Sequence, residues 1–315
     1  MNSDAAKTVL ESASPDCASS REDSFASDVA VIITLTLLWL QLYYSLIPAW
    51  VHGQYYEFGW FVPPMAAFLF FRRWQLRSRD EHPPSRGLGL AVTAGILFPV
   101  LFSIRALEGF DSSWRLPMVL HAGMVALLSH WLILRHCGKG TSLGMIPVTV
   151  FALSAIPYPF QLENSLIQVL TEWVVQATAG LFHIGGQPVI VSGVILEFNG
   201  QQVEVADGCS GIRSLQSLIM MGLYFGELFR VRIGQRFLLV GLAGIVALIV
   251  NVGRALYLTH ISFAKGDAAF EAAHDGVGHA AFGIGSICLL LITRVLVGMN
   301  NRRNMTLLRT KVNLS

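Results

Sequence analysis

Three kinds of reactive side chain stand at the borders of apolar runs: Cys209, Arg254, and the histidines His274 and His279. Cys209 lies in "VEVADGCSGIRSL", residues 203 to 215, with Asp207 and Gly208 before it and Ser210, Gly211 and Arg213 after it. An apolar helix follows at once, so the thiol sits near a helix N-terminus, where unsatisfied N–H groups and the helix dipole stabilise a thiolate. Gly208 and Gly211 let another backbone approach closely, as a peptide must. Arg254 ends "IVNVGR", one turn after Asn251; its guanidinium suits a developing oxyanion or a carboxylate. "EAAHDGVGHAAFGIG" carries His274, Asp275, Gly278 and His279. Thiolate, imidazole and guanidinium at one depth would make a nucleophile, an acid/base and an anion stabiliser for acyl transfer. A plainer account remains open for each. Small residues at "GCSG" also permit tight helix packing, an arginine at a helix C-terminus is favoured by the dipole, and a histidine at a helix entrance is often a cap. A metal is not expected, because His274 and His279 are five apart rather than at the i, i+4 spacing of H-E-x-x-H. No organic cofactor is needed either.

The elements that must position these residues are membrane helices. Of 315 residues, 53% are hydrophobic and 13% charged, and the mean hydropathy is +0.56. The fold class is therefore an all-α polytopic membrane protein. A net charge of +2 argues against nucleic acid as a partner. Apolar runs at 29–51, 58–71, 87–104, 116–134, 142–156, 211–229, 234–256 and 278–298 predict about eight spans, the second and fifth being short and proline-bearing. Residues 1–28 are expected as a disordered cytoplasmic tail, 29–300 as the transmembrane domain and 301–315 as a basic cytoplasmic tail. Arginines cluster at 72–86, at 135, at 230–236 and at 302–309, all on one side if eight helices alternate. The positive-inside rule makes that side the cytoplasm, with both termini inside and Cys209, Arg254 and His274 at the opposite face. The segment 157–208 would then be extracytoplasmic, a helix lying at the interface followed by a β-hairpin turning at Asn199-Gly200. Cys17, Cys137, Cys209 and Cys288 fall too far apart in this arrangement to form a disulfide framework. A transporter would show ionisable residues at mid-membrane and two related halves, and no such repeat stands out.

Three ordered blocks resemble the exosortase/archaeosortase family of membrane transpeptidases. "VADGCSGIRSL" is similar to that family's cysteine block, with Asp207 for its acid and Gly208 for its alanine. Asn251 and Arg254 match its N-x-x-R block; His274, Gly278 and Phe282 match its histidine block, His279 standing where tryptophan is usual. "FGWFVPPMAAFLFFRRW", "IPYPF" and "GVILEFNGQQVEV" also resemble family segments, and the likeness runs over roughly residues 30 to 300. It implies Cys209 as nucleophile, Arg254 as the essential arginine and His274 as the third member. A histidine in third place resembles the bacterial exosortases, since archaeosortases usually have arginine there. The implied activity is a cysteine-type peptidase/transpeptidase in the bacterial cytoplasmic membrane. Its implied partners are exported proteins whose C-terminal signal (PEP-CTERM-like) consists of a motif, a span and a basic cluster. The rival expectation is a non-catalytic component of an exopolysaccharide or protein export assembly.

Overall fold

The computed structural model describes residues 15–53, 55–77, 88–110, 114–204 and 211–312. Among them are nine α-helices and one small sheet: α1 Pro15–His52, α2 Val62–Gln75, α3 Leu88–Phe110, α4 Arg115–Cys137, α5 Lys139–Ala152, α6 Phe160–Ile184, α7 Ile212–Leu228, α8 Ile233–Lys265 and α9 Asp267–Val312. Four helices are long and apolar enough to cross a membrane alone: α1 from Phe25, α4, α8, and α9 as far as Asn300. The pair α5 and α6, bent by 80° at its break, would add a fifth. The expectation of about eight spans is thus supported for four to five. Length accounts for three of the four others, since α2 and α5 have 14 residues each and α7 has 17, whereas α3 has 23. At ~1.5 Å per residue, 14 residues cover roughly 21 Å of a hydrocarbon core about 30 Å thick.

Helix ends differ from the sequence expectation in three places. Among the described residues, α1 already takes in 15–28, the later half of the expected tail. Asp28 is bound by Arg77 and accepts a bond from His136 Nε2 at 2.6 Å. The 301–315 tail continues α9 as far as Val312. The stretch between the apolar runs 234–256 and 278–298 is helical too: α8 runs on to Lys265, turns on Gly266 alone and re-enters as α9 at Asp267. Gly266 has φ +81°, the left-handed geometry that ends a helix cheaply only at glycine. Ser262 Oγ donates to Asp267 Oδ1 at 3.1 Å across the turn.

The core falls into two helical groups with an insertion packed on the second. Leu42, Leu46 and Trp50 of α1, Val62 and Leu69 of α2, Val125 of α4 and Phe151 of α5 bury against one another. Leu218 of α7, Leu239 and Ala243 of α8 and Leu289 of α9 form the second group. Met220 and the Phe151–Tyr224 ring pair, 5.6 Å apart, join the two. Close approach in the second group is set by small residues: a Cβ at Gly222 would lie 3.4 Å from Ala243, and one at Gly285 would lie 2.6 Å from Leu218. Val174, Val175, Ala179 and Phe182 of α6 pack on Ala255 of α8 together with Leu196 of the sheet.

That sheet has three antiparallel strands in sequence order: β1 Ile190–Ser192, β2 Ile195–Phe198 and β3 Gln201–Glu204. Asn199 at φ 53° and Gly200 at φ 78° make the β2–β3 turn, which needs both residues left-handed. The expected first arm is itself folded in two at Gly193, φ 65°. Leu196 and Val203, paired across β2 and β3, face the core.

The bundle has two chemically distinct ends. At one, Arg73 and Arg236 both grip the buried Glu227, and Arg77 grips Asp28. At the other, Tyr56 donates to Glu163, whose Oε2 lies 2.8 Å from Arg115 Nη1. Arg115 also donates to the Tyr158 carbonyl, and the Tyr158 N–H donates to the Tyr56 hydroxyl. This buried knot ties the α1–α2 connection to the α5–α6 corner.

Candidate active site

The helical hairpin α8–Gly266–α9 brings the arginine and the histidine together. Arg254 Nη2 lies 2.8 Å from His274 Nε2. A guanidinium only donates, so Nε2 is the acceptor and the ring proton sits on Nδ1. Nδ1 donates in turn to Asp275 Oδ1 at 3.1 Å. Phe270, one turn earlier on α9, packs against the imidazole with ring centroids 5.8 Å apart. Gly278 lies beside the guanidinium, and a Cβ there would be 3.8 Å from Arg254 Cζ. His274 and Arg254 are half-buried, whereas the Asp275 side chain is 89% exposed.

The plainer accounts of Arg254 and His274 do not fit these positions. Arg254 lies three helical turns before the end of α8, and His274 two turns inside α9. Dipole and capping effects fade within the terminal turn. The two histidines also separate. His279 Nδ1 donates to the Asp275 carbonyl at 2.8 Å, within its own helix, and its side chain is exposed.

The start of α7 meets the same place. Gly211 caps α7 at φ 84°, and its carbonyl takes the first helical bond from Leu215 at 2.8 Å. A Cβ on Gly211 would fall 2.6 Å from the Asn251 side chain. Asn251 is buried one turn before Arg254 on α8. The glycine is therefore required twice, by its left-handed backbone and by contact with Asn251. Arg213, half-exposed in the first turn of α7, stands 3.7 Å from Glu57. Asp207, Gly208, Cys209 and Ser210 lie outside the described residues.

Sequence reasoning missed Phe270, Glu57 and the Tyr56–Glu163–Arg115 knot. The knot carried no local signal, since Tyr56 and Glu163 are 107 positions apart. Phe270 was legible, being one turn before His274 on the same helix face. Among the described residues no group of three or more histidine, cysteine or acidic side chains is arranged to hold a metal. Cys137 and Cys288 form no disulfide with each other.

No curated protein and no solved structure matches the chain. The family described as "Transmembrane exosortase (Exosortase_EpsH)" matches residues 50–291, a span that begins at the end of α1 and holds α2 to α8, the sheet insertion, the first part of α9, and the Arg254–His274 pair with Gly211 and Asn251 beside it. The chain belongs to the transmembrane exosortase family.

Proposed function

We propose that the protein is a cysteine transpeptidase of the bacterial cytoplasmic membrane that cleaves a C-terminal sorting signal at the extracytoplasmic face and passes the product to an acceptor. The observation that carries this reading is the 2.8 Å contact of Arg254 with His274, with the entrance of α7 packed on Asn251 one turn away. Cys209 precedes Gly211 by two residues, and two residues of chain reach no further than ~7 Å. That short separation in sequence supports Cys209 as the nucleophile of this reading.

Chemistry follows from the proton positions. His274 Nε2 takes the proton of the Cys209 thiol, and the thiolate attacks the carbonyl carbon of the scissile peptide. Arg254, released from Nε2 once that nitrogen is protonated, turns its N–H groups to the oxyanion. The C–N bond breaks, His274 gives its proton to the departing amine, and an acyl thioester remains on Cys209. An incoming amine, another acceptor or water then attacks the thioester. Asp275 holds the Nδ1–H tautomer, and its exposure limits what that bond is worth.

The arginine-rich end would face the cytoplasm under the positive-inside rule, so the Arg254–His274 end faces out. A substrate whose basic terminus stays in the cytoplasm presents its motif at that outer face. The test is to co-express a protein bearing such a signal with the wild-type chain or with Cys209→Ala, and to follow its size. Loss of processing is expected; continued processing by Cys209→Ala would remove the thiol from the mechanism.

A further inference from the structure

At the arginine-rich end a cleft of about 320 Å³ opens between α2, α5 and the α7–α8 connection. Its described lining includes Arg73, Arg77, Arg230 and Arg236, with Gly140 and Thr141 from the first turn of α5. Glu227 neutralises part of this charge by gripping Arg73 and Arg236, and Asp28 part of it by gripping Arg77. Four cations against two carboxylates leave two positive charges. Arg230 forms no ion pair among the described residues; it is exposed at φ 51°, a left-handed conformation in which arginine is strained. The first-turn amides of α5 add the positive end of a helix dipole.

An apolar groove of about 370 Å³ adjoins the cleft, and Met145 lines both. The groove follows the same stripes of α2 and α5, through Ala66, Phe70, Val148 and Ala152, beneath Trp39 and Tyr43 of α1. A cationic pocket at the mouth of an apolar groove is complementary to one kind of molecule, with an anionic phosphate at one end and an acyl chain at the other. We propose that the cleft and the adjoining groove together bind a single anionic phospholipid, its phosphate on Arg230 and the α5 N-terminus and an acyl chain along α2 and α5. The site stands apart from Arg254 and His274, at the opposite end of the bundle, and does not depend on the transpeptidase reading.

The test uses the purified full chain in detergent, incubated with equal amounts of phosphatidylglycerol and phosphatidylcholine of the same acyl chains, and weighed intact by native mass spectrometry. One phosphatidylglycerol is expected to be retained in preference to phosphatidylcholine. Arg230→Asn, which removes the charge and suits the left-handed backbone, should reduce that preference about fivefold, the equivalent of one basic residue on an anionic lipid. Arg230→Lys should keep it. Gly144→Leu leaves the charges in place but projects into the cleft, where a Cβ would meet only Arg73 Nη1 at 3.8 Å, and should abolish retention. Equal retention of the two lipids would overturn the proposal, as would wild-type preference in both Arg230→Asn and Gly144→Leu. An excess of sodium phosphate is expected to leave the lipid bound. Displacement of the lipid by phosphate, with equal thermal protection from phosphate alone, would make this a free-anion site and overturn the lipid.

Discussion

The proton on His274 is the smallest feature on which the proposed mechanism turns. Because Arg254 donates to Nε2, the resting imidazole is the Nδ1–H tautomer with its basic nitrogen facing Arg254 on α8. His274→Ala is therefore expected to lower processing of a co-expressed substrate by about a hundredfold or more, the usual size of a lost acid/base group. His279→Ala should stay within about threefold, since an exposed surface substitution of this kind seldom matters. Comparable losses in the two variants would break the assignment. At Gly211, an alanine must hold φ 84° and displace the Asn251 side chain. The left-handed backbone alone costs ~1–2 kcal/mol, so Gly211→Ala is expected to lower both thermal stability and processing. Arg254 and His274, which the structure brings together, each stand in a short block of characteristic spacing; Cys209, singled out the same way, lies outside the described residues. The sequence left their partnership open, because the contact depends on where α8 turns, and both helices continue through a stretch whose polarity looks like a loop.

At the scale of elements, the Tyr56 knot fixes the connections that cover one end of the helices. Burial and the bond to Glu163 push the Tyr56 hydroxyl well above the tyrosine reference of 10.0. Its folded-state value is raised, so its stabilisation is fully present below pH 10.0 and is lost as pH climbs beyond it. Thermal unfolding in detergent should show an alkaline loss of stability in the wild type that is smaller in Tyr56→Phe. The same variant should unfold at lower temperature near neutrality, by the ~1.5–3 kcal/mol that a buried hydrogen bond to a charged group contributes. An unchanged melting temperature would mean that the knot is ornamental to stability. The β2–β3 turn was legible from Asn199-Gly200, because both residues are permissive of positive φ. The extra turn at Gly193 was not, since β1 is only three residues long and alternation continues through it.

The whole molecule is polarised, with Arg73, Arg77 and Arg236 gripping Glu227 and Asp28 at one end and the Arg254–His274 pair at the other. Composition made the membrane class plain, but span number was not legible, because α2, α5 and α7 are apolar runs too short to declare how they sit in a bilayer. Orientation is testable by labelling. In a Cys209→Ser background, Ala268→Cys beside the α8–α9 turn should react with a membrane-impermeant maleimide in intact spheroplasts. Gly234→Cys at the start of α8 should react only after permeabilisation. The reverse pattern would turn the protein over and place the proposed site in the cytoplasm. The central claim, that acyl transfer runs through a thioester on Cys209, is met most directly by trapping that species. The purified full chain is incubated with a signal-bearing peptide, quenched in acid and digested, and the peptides are weighed. The account predicts an acyl adduct on Cys209 that hydroxylamine releases and that Arg254→Lys diminishes. Processing of the peptide with no adduct on Cys209, or with the adduct on another residue, would contradict it.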